Sequence, residues 1–189
     1  MSIPAIHLEL PKWLGDFFDS VDRLYKTPAE RMRLAIRLSE LNITHKTGGP
    51  FGAAIFDRSG KPVSVGVNLV EKSRCSLWHA EIVAIAAAQA RLGRFDLGNG
   101  GKEHFELVTS TEPCAMCLGA IPWSGITRLV CGAKEEDARK VGFDEGAKPA
   151  DWPGELLKRG ITVEPEILRK EAAAVLIRYV TDGGIIYNG

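Results

Sequence analysis

Two short motifs constrain this chain more than any other feature of its sequence. The first contains His79 and Glu81, and the second contains Pro113, Cys114 and Cys117. One imidazole nitrogen and two thiolates are ligands that suit Zn²⁺, and three protein ligands leave the fourth tetrahedral position open for water. An acid beside the histidine can accept a proton from that water and pass it to a leaving group. We therefore predict a hydrolytic zinc site with His79, Cys114 and Cys117 as ligands and Glu81 as the catalytic acid–base group.

Other interpretations of the cysteines are weaker. A closed structural zinc site needs a fourth ligand, for which Cys75 is the available candidate. Cys131 is a poorer candidate, because the apolar run 129–131 indicates a buried strand. A redox-active Cys-x-x-Cys pair would leave His79 and Glu81 without a role. These comparisons favour an open, catalytic site.

The charge balance argues against a polyanionic substrate. The 189 residues include 24 basic and 24 acidic side chains, so no long-range positive field draws RNA or DNA to the protein. The N-terminus lacks the pattern of a signal peptide, and no apolar run approaches the length of a membrane span. Four cysteines, two of them assigned to the metal, fit a reducing compartment. We expect a cytoplasmic protein.

Length and composition suit one hydrophobic core with a small appendage, because 45% of the residues are hydrophobic. We expect an N-terminal arm and helix in 1–26, a zinc-binding domain in 27–182 and a C-terminal tail in 183–189.

Hydrophobic periodicity and turn residues predict alternating helices and strands. Thr27, Pro28 and Glu30 form a capping box that begins a helix ending near His45. The other predicted helices are 13–25, 76–92, 135–141, 152–159 and 168–181, and the predicted strands are 51–57, 61–69, 106–111, 127–133 and 161–166. A strand, helix, strand order across the Cys-x-x-Cys motif implies a parallel pair with a right-handed crossover. The predicted fold is an α/β, three-layer α/β/α sandwich on a mixed five-stranded sheet.

Both parts of the predicted metal site fall at helix N-termini. Cys114 and Cys117 are three residues apart and share one helix face. His79 and Glu81 are two residues apart, so on an ideal helix their side chains would point in directions that differ by about 200°. The two side chains can therefore meet at one site only if His79 lies at the N-terminus of the helix. Unpaired N–H groups and the helix dipole there lower thiolate pKa values.

The motifs resemble those of the cytidine-deaminase-like superfamily of zinc aminohydrolases. The resemblance covers roughly 30–189 and is greatest with the bacterial guanine deaminase branch. It is carried by the two zinc motifs, Gly48-Gly49-Pro50-Phe51-Gly52-Ala53, Asn68, Cys117-Leu118-Gly119-Ala120-Ile121 with Trp123, and Val141-Gly142-Phe143-Asp144-Glu145. This resemblance implies a cytidine deaminase-like fold, one Zn²⁺ and hydrolysis of guanine to xanthine and ammonia. It also suggests activity on aminotriazines such as ammeline.

The resemblance further implies a purine pocket. Guanine carries several N–H donors, so its pocket needs a carboxylate and an amide oxygen, which Asp144, Glu145 and Asn68 supply, and stacking side chains, which Phe51 and Trp123 supply. One of the two acids, for which we take Glu145, is expected to share proton transfer with Glu81. The alternatives are ordinary core packing for the aromatic residues and a solvated turn for the acids. The expected substrate-binding residues are Phe51, Asn68, Ala80, Trp123, Asp144 and Tyr187.

The tail 183–189 carries large apolar side chains where solvated residues are usual. One interpretation is that it fills a groove on its own domain. The resemblance implies more, because in guanine deaminases this segment covers the active site and is exchanged between the subunits of a dimer. We therefore expect Tyr187 to belong to a lid in a homodimer.

Two other functions remain open. The cysteine motif also resembles that of tRNA adenosine and cytosine deaminases, although the neutral charge balance disfavours a tRNA substrate. A catalytically silent zinc-binding interaction module is a second alternative, which the intact Glu81 disfavours.

Overall fold

The computed structural model describes residues 5–21 and 23–188. Residues 1–4 of the expected arm, one position of the first predicted helix, Asp22, and the last residue of the tail, Gly189, lie outside the described residues. The described part contains a single sheet in the order β2-β1-β3-β4-β5. Its strands are β1 (Gly52–Asp57), β2 (Pro62–Val67), β3 (Phe105–Thr111), β4 (Arg128–Ala133) and β5 (Thr162–Glu164).

The sheet is mixed, as predicted. β1 is antiparallel to both β2 and β3, whereas β3, β4 and β5 run parallel. The helices are α1 (Lys12–Ser20), α2 (Pro28–Thr44), α3 (Val70–Ser73), α4 (Ala80–Leu92), α5 (Ala115–Ala120), α6 (Glu135–Lys140), α7 (Trp152–Leu157) and α8 (Arg169–Thr181). A 3₁₀ turn, Ile121–Ser124, follows α5. The sequence did not predict this turn or α3, because each has only four residues.

Alternating strand residues divide the core into two layers. On β1, Ala54 and Phe56 pack in a cluster with buried side chains of α2 and α8. Ala53 and Ile55 point to the other face and pack in a cluster with side chains of α4, α5 and α7. The period of two along a strand produces this division. The three-layer α/β/α prediction is therefore confirmed.

The N-terminus of α4 lies unusually close to β2. A Cβ atom built on Gly66 would lie 2.2 Å from the carbonyl oxygen of Ala80 and 2.5 Å from the amide nitrogen of Ala84. Only glycine permits this approach. The predicted helix 76–92 begins later, at Ala80, because His79 has extended backbone angles and forms the N-cap. The position of His79 is thus set by the contact between α4 and β2.

The two edges of the sheet differ. β2 is one edge, and α1 packs along it with Leu14 buried beside Val65. β5 is the other edge and has three residues, of which Glu164 pairs with Arg128.

The first predicted helix, 13–25, extends too far. α1 ends at Ser20, although apolar residues continue at helical spacing to Leu24. Tyr25 is buried for a different reason: its ring contacts Phe56 edge-on at 5.6 Å, and its N–H donates to the carbonyl of Gly60 at 2.9 Å. Tertiary contacts override the helical pattern here. No helix within the described part of the chain is long and apolar enough to cross a membrane.

Candidate active site

Three metal-binding side chains meet at the N-termini of two helices. His79 is the N-cap of α4, Cys114 is the N-cap of α5, and Cys117 follows within α5. The donor atoms of the three side chains all lie within 4.8 Å of one another. Cys114 Sγ is 3.4 Å from His79 Nδ1, so Nδ1 is the imidazole nitrogen on the metal side. The structure therefore brings the three predicted ligands together.

The donor set fits Zn²⁺ in an open site. One imidazole nitrogen and two sulfur atoms are preferred ligands of zinc, and a site with three protein ligands keeps one position for water. Among residues 5–21 and 23–188, the group of potential ligands contains these three residues and not Cys75 or Cys131. Cys131 is fully buried within β4. The arrangement is that of an open site rather than a closed structural one.

The two thiols are electrostatically unequal. Hydrogen bonding with Cys117 lowers the pKa of Cys114 to about 4, and hydrogen bonding with His79 adds to this effect. The same contact with Cys114, together with burial, raises the pKa of Cys117. Burial opposes protonation of His79, but the hydrogen bond with Cys114 and the negative charges of Glu81 and Cys114 together outweigh it, so the pKa of His79 is raised. Cys114 is thus a thiolate at neutral pH, which is the form of cysteine that binds a metal cation.

Glu81 is a buried carboxyl beside this group. Its side chain, in a residue only 7% exposed, accepts hydrogen bonds from Thr109 Oγ1 at 3.2 Å and from Cys117 Sγ at 3.4 Å. Burial is the main cause that raises the pKa of Glu81, and the negative charge of Cys114 adds to it. A buried carboxyl with a raised pKa can both accept and donate protons in a reaction.

A cavity of about 370 Å³ opens onto His79, Cys114 and Glu81, with Cys117 buried behind its wall. Its aromatic wall contains Phe51, Phe143 and Tyr187, with the Phe143 ring 4.9 Å from Phe51 and 5.7 Å from Tyr187. The other lining residues are Asn68, Val70, Ser76, Glu112, Ala115, Met116, Asp144, Glu145, Gly146 and Asn188. This volume and this mostly apolar lining suit a small flat ligand.

Two buried side-chain polar atoms of the lining residues have no hydrogen-bond partner within the described structure: Asn68 Nδ2 and the Tyr187 hydroxyl. Asn68 is 1% exposed, and its Oδ1 accepts a hydrogen bond from the N–H of Val70 at 3.2 Å. The sequence-based expectation used Asn68 as an amide oxygen, whereas in the structure the free atom is the amide nitrogen. Buried polar atoms without partners are costly, and a ligand that pairs with them removes this cost.

The adjacent acids Asp144 and Glu145 occupy different environments. Glu145 is 5% exposed, and burial raises its pKa to about 8. The side chain of Asp144 is 61% exposed and accepts hydrogen bonds from Arg139 and from the N–H of Gly146. Glu145 is therefore the acid that the fold buries against the cavity.

A buried lysine supports the loop that carries Glu145. The side chain of Lys148 is 3% exposed, and its Nζ donates to the carbonyl of Pro113 and to Glu135, both at 2.9 Å. The N–H of Ala115 also donates to the carbonyl of Glu145 at 2.9 Å. These contacts join the Glu145 loop to the start of the cysteine-bearing helix.

Trp123 and Ala80 do not line the cavity. Trp123 lies on the 3₁₀ turn after α5, is 82% exposed and borders a separate surface groove. The turn directs its side chain away from the ligands. Ala80 is fully buried at the start of α4, beneath the site.

Phe143 belongs to the aromatic wall but was absent from the predicted site residues. It lies in the Val141–Glu145 motif, yet nothing in that motif distinguishes a wall residue from a core residue. Glu112 and Met116 flank the cysteines and also line the cavity. Their positions next to the ligands are the signal that could have found them.

The tail lies over the cavity of its own chain. Tyr179 donates from its hydroxyl to the carbonyl of Ile185 at 2.9 Å. Asn188 donates to the carbonyl of Gly142 at 3.0 Å and accepts from the N–H of Asp144 at 2.8 Å. Tyr187, between these anchors, lines the cavity, and its ring centroid is 6.5 Å from that of His79.

Comparisons with known proteins agree with this geometry. Residues 26–133 match the family described as the cytidine and deoxycytidylate deaminase zinc-binding region. Guanine deaminase of Bacillus subtilis is 36% identical over 126 residues, which are 66% of this chain and 77% of that protein. The structure of guanine deaminase from Nitrosomonas europaea is 44% identical, with a TM-score of 0.89 over 94% of this chain and 97% of that one. Another related structure, a complex with 2,6-diaminopurine, is 45% identical, with a TM-score of 0.91 over 97% of both chains.

We predict that replacing Cys114 or Cys117 with serine removes bound zinc and lowers stability, because zinc binding is coupled to folding. Cys75→Ser is the matched control and should keep one zinc per chain, since this thiol lies outside the metal group. Zinc is measured by elemental analysis after dialysis against a weak chelator, and stability is measured by thermal unfolding. Stoichiometric zinc in either Cys114→Ser or Cys117→Ser would contradict the ligand assignment.

Proposed function

The chain belongs to the cytidine and deoxycytidylate deaminase family, and we propose that it is a hydrolase that converts guanine and water to xanthine and ammonia. The observation that carries this proposal is the meeting of His79, Cys114 and Cys117 next to a cavity that the buried Glu81 also lines. The similarity to two guanine deaminases and to a complex with a diaminopurine supports a purine substrate.

We assign His79, Cys114 and Cys117 to Zn²⁺, which when bound lowers the pKa of a water molecule to about 7 and so supplies a nucleophile. Glu81 is not a ligand and accepts the proton released from that water. It delivers this proton to a purine ring nitrogen, then takes a second proton from the hydroxyl group added to the ring carbon and gives it to the amino group, so that the carbonyl forms and ammonia leaves. Its raised pKa suits a group that alternates between accepting and donating.

Purine recognition follows from the unpaired and buried polar groups. The Asn68 amide nitrogen can donate to the carbonyl oxygen of guanine, an atom that adenine replaces with an amino group. Glu145 faces the N–H donors of the base, and its pKa of about 8 lets it share proton transfer with Glu81. Phe51 and Tyr187 contact the faces and edge of a flat ring.

The same site accommodates aminotriazines such as ammeline, which also carry an amino group on a carbon between ring nitrogens. A tRNA adenosine substrate is disfavoured because 24 basic and 24 acidic residues give no excess of positive charge for phosphate contacts. A silent zinc-binding interaction module is disfavoured because Glu81 and the cavity are intact.

Several further assignments belong to this proposal. The tail is a lid whose Tyr187 excludes water from the bound base, and exchange of the tail between two chains would join them as a homodimer. The 27–182 segment is the deaminase domain that the lid covers. A reducing, cytoplasmic location suits the free thiols of the metal group. In such a location the protein would act in guanine breakdown.

We predict that the zinc-loaded protein releases ammonia from guanine faster than from adenine, cytosine or cytidine. Glu81→Gln should keep its zinc and lose at least ~10²-fold in turnover, the usual share of general acid–base catalysis. Ammonia is measured in a coupled assay with a panel of the four substrates, ammeline and an unmodified tRNA. Deamination of the tRNA with free guanine untouched would overturn the proposed substrate, and loss of zinc from Glu81→Gln would overturn the role of this residue.

The two adjacent acids provide a matched pair. Glu145→Gln should reduce kcat/KM for guanine at least ~10-fold, because it removes a buried group capable of proton transfer. Asp144→Asn should stay within about twofold, because exposed charged contacts contribute little and the asparagine keeps an oxygen for Gly146. Steady-state kinetics on both variants measures kcat/KM and so distinguishes the two acids. Equal, full activity in both variants would show that the loop 144–145 is a solvated turn without a catalytic role.

Removal of residues 184–189 tests the lid. The truncated protein should lose at least ~10-fold in kcat/KM for guanine, because burial of a large apolar side chain contributes roughly 1.5–3 kcal/mol. Zinc content and far-UV circular dichroism should not change. Ile185→Ser, at a side chain that is 55% exposed, is the control that keeps the tail in place. Full catalytic efficiency in the truncated protein would exclude a lid.

A further inference from the structure

Asn42 is a fully buried polar side chain on α2, with 0% exposure, and the proposed mechanism does not use it. Its Nδ2 donates two hydrogen bonds, to the carbonyl of Gly49 and to the carbonyl of Asn68, each at 2.8 Å. Its Oδ1 accepts from Thr47 Oγ1 at 2.6 Å. Both N–H groups and the carbonyl oxygen of the amide are therefore satisfied.

The two carbonyl oxygens and the Thr47 hydroxyl together fix which way this amide points. If the Asn42 amide were reversed, Oδ1 would face the carbonyl oxygens of Gly49 and Asn68, and no donor would remain between them. The Thr47 hydroxyl is positioned in turn by the N-terminal helix α1, because Trp13 Nε1 donates to its Oγ1 at 3.2 Å. The Trp13 ring also stacks on His45 at 4.9 Å. The N-terminal helix thus completes a continuous series of hydrogen bonds that ends at Asn68.

Three of the four polar groups of Asn68 have hydrogen-bond partners. Its N–H donates to the carbonyl of Phe51 at 3.1 Å, its carbonyl accepts from Asn42, and its Oδ1 accepts from Val70. A Cβ atom built on Gly48 would lie 2.0 Å from the Asn68 carbonyl oxygen, so only glycine allows this close packing. The remaining polar atom, Nδ2, is buried without a partner and belongs to a residue of the cavity wall.

We propose that Asn42, oriented by Thr47 and Trp13, is a positioning residue that fixes the Asn68 amide for recognition of the purine. The proposal rests on the proposed function. It gives α1, which lies outside the family match at 26–133, a part in substrate binding. A shift of the Asn68 main chain would move its amide away from the base, and hydrogen-bond energy falls steeply with distance and angle.

Thr47→Val removes the hydroxyl and nearly preserves side-chain volume, so it leaves Asn42 Oδ1 without its donor and weakens the positioning of the Asn42 amide. We expect KM for guanine to rise about 3- to 10-fold, the share of one hydrogen bond, with kcat and zinc content nearly unchanged. Thr47→Ser is the matched control: it keeps the hydroxyl and should have the same KM as the unmodified protein. Trp13→Phe, which removes only the outer N–H donor, should shift KM in the same direction by less.

A double-mutant cycle with Asn68→Ala separates positioning from general stability. Asn68→Ala keeps the main-chain carbonyl that Asn42 binds and removes only the side-chain amide. If Asn42 acts through that amide, Thr47→Val should change KM less than twofold in the Asn68→Ala background. Equal effects of Thr47→Val in both backgrounds would overturn the proposal. If Thr47→Val does not fold, the cycle is run with Trp13→Phe and judged in the same way.

Binding of 8-azaguanine, which keeps the ring carbonyl of guanine, to the zinc-loaded Glu81→Gln protein gives the cycle a readout that needs no turnover, and it is measured by titration calorimetry. Binding here without guanine deamination by the protein that keeps Glu81 would refute the proposed function, and the cycle in Kd would still decide the role of Asn42. Coupling between Thr47 and Asn68 in Kd supports the proposal. Absence of coupling, or absence of any purine binding, overturns it.

Discussion

The contact between α4 and β2 is the constraint on which the site depends. Gly66 has no side chain, so the first turn of α4 can lie against the strand at a distance that a Cβ atom would prevent. His79 and Glu81 begin that turn, and a displacement of α4 would move a ligand and the acid together. The cysteine-bearing α5 meets them from the end of β3. The site therefore exists where two helix N-termini converge at one end of the sheet.

The electrostatic character of the site follows from burial at that convergence. The Cys114 thiolate, with a pKa of about 4, lies near two buried carboxyl groups, Glu81 and Glu145, whose pKa values burial raises. Such a concentration of acidic groups is unfavourable without a cation. Lys148 supplies one buried positive charge, held by Glu135 and the Pro113 carbonyl. A divalent ion on the three ligands would supply further positive charge and so would link metal binding to the stability of the fold.

Local sequence signals predicted the features that depend on neighbouring residues. The Thr27 capping box, the mixed sheet and the entry of His79 at a helix N-terminus follow from spacing and turn chemistry. The Asn68 amide presents nitrogen because the N–H of Val70, two residues later, occupies its oxygen in a local turn that the sequence analysis did not identify. Features set by distant contacts were not predictable. Asn42 resembles any polar helix residue in the sequence, since its partner at Asn68 is 26 positions away. Trp123 shares a motif with the ligands, yet the turn after α5 directs it to solvent.

The edges of the sheet have a consequence for self-association. An uncovered edge strand offers a row of free N–H and C=O groups that another chain can extend into a growing sheet. Here α1 packs along β2, and β5 is only three residues long with Glu164 paired to Arg128. Both edges are therefore poor templates for strand addition. Loss of α1 would uncover Val63 and Val65 and convert one side of the molecule into a surface prone to aggregation.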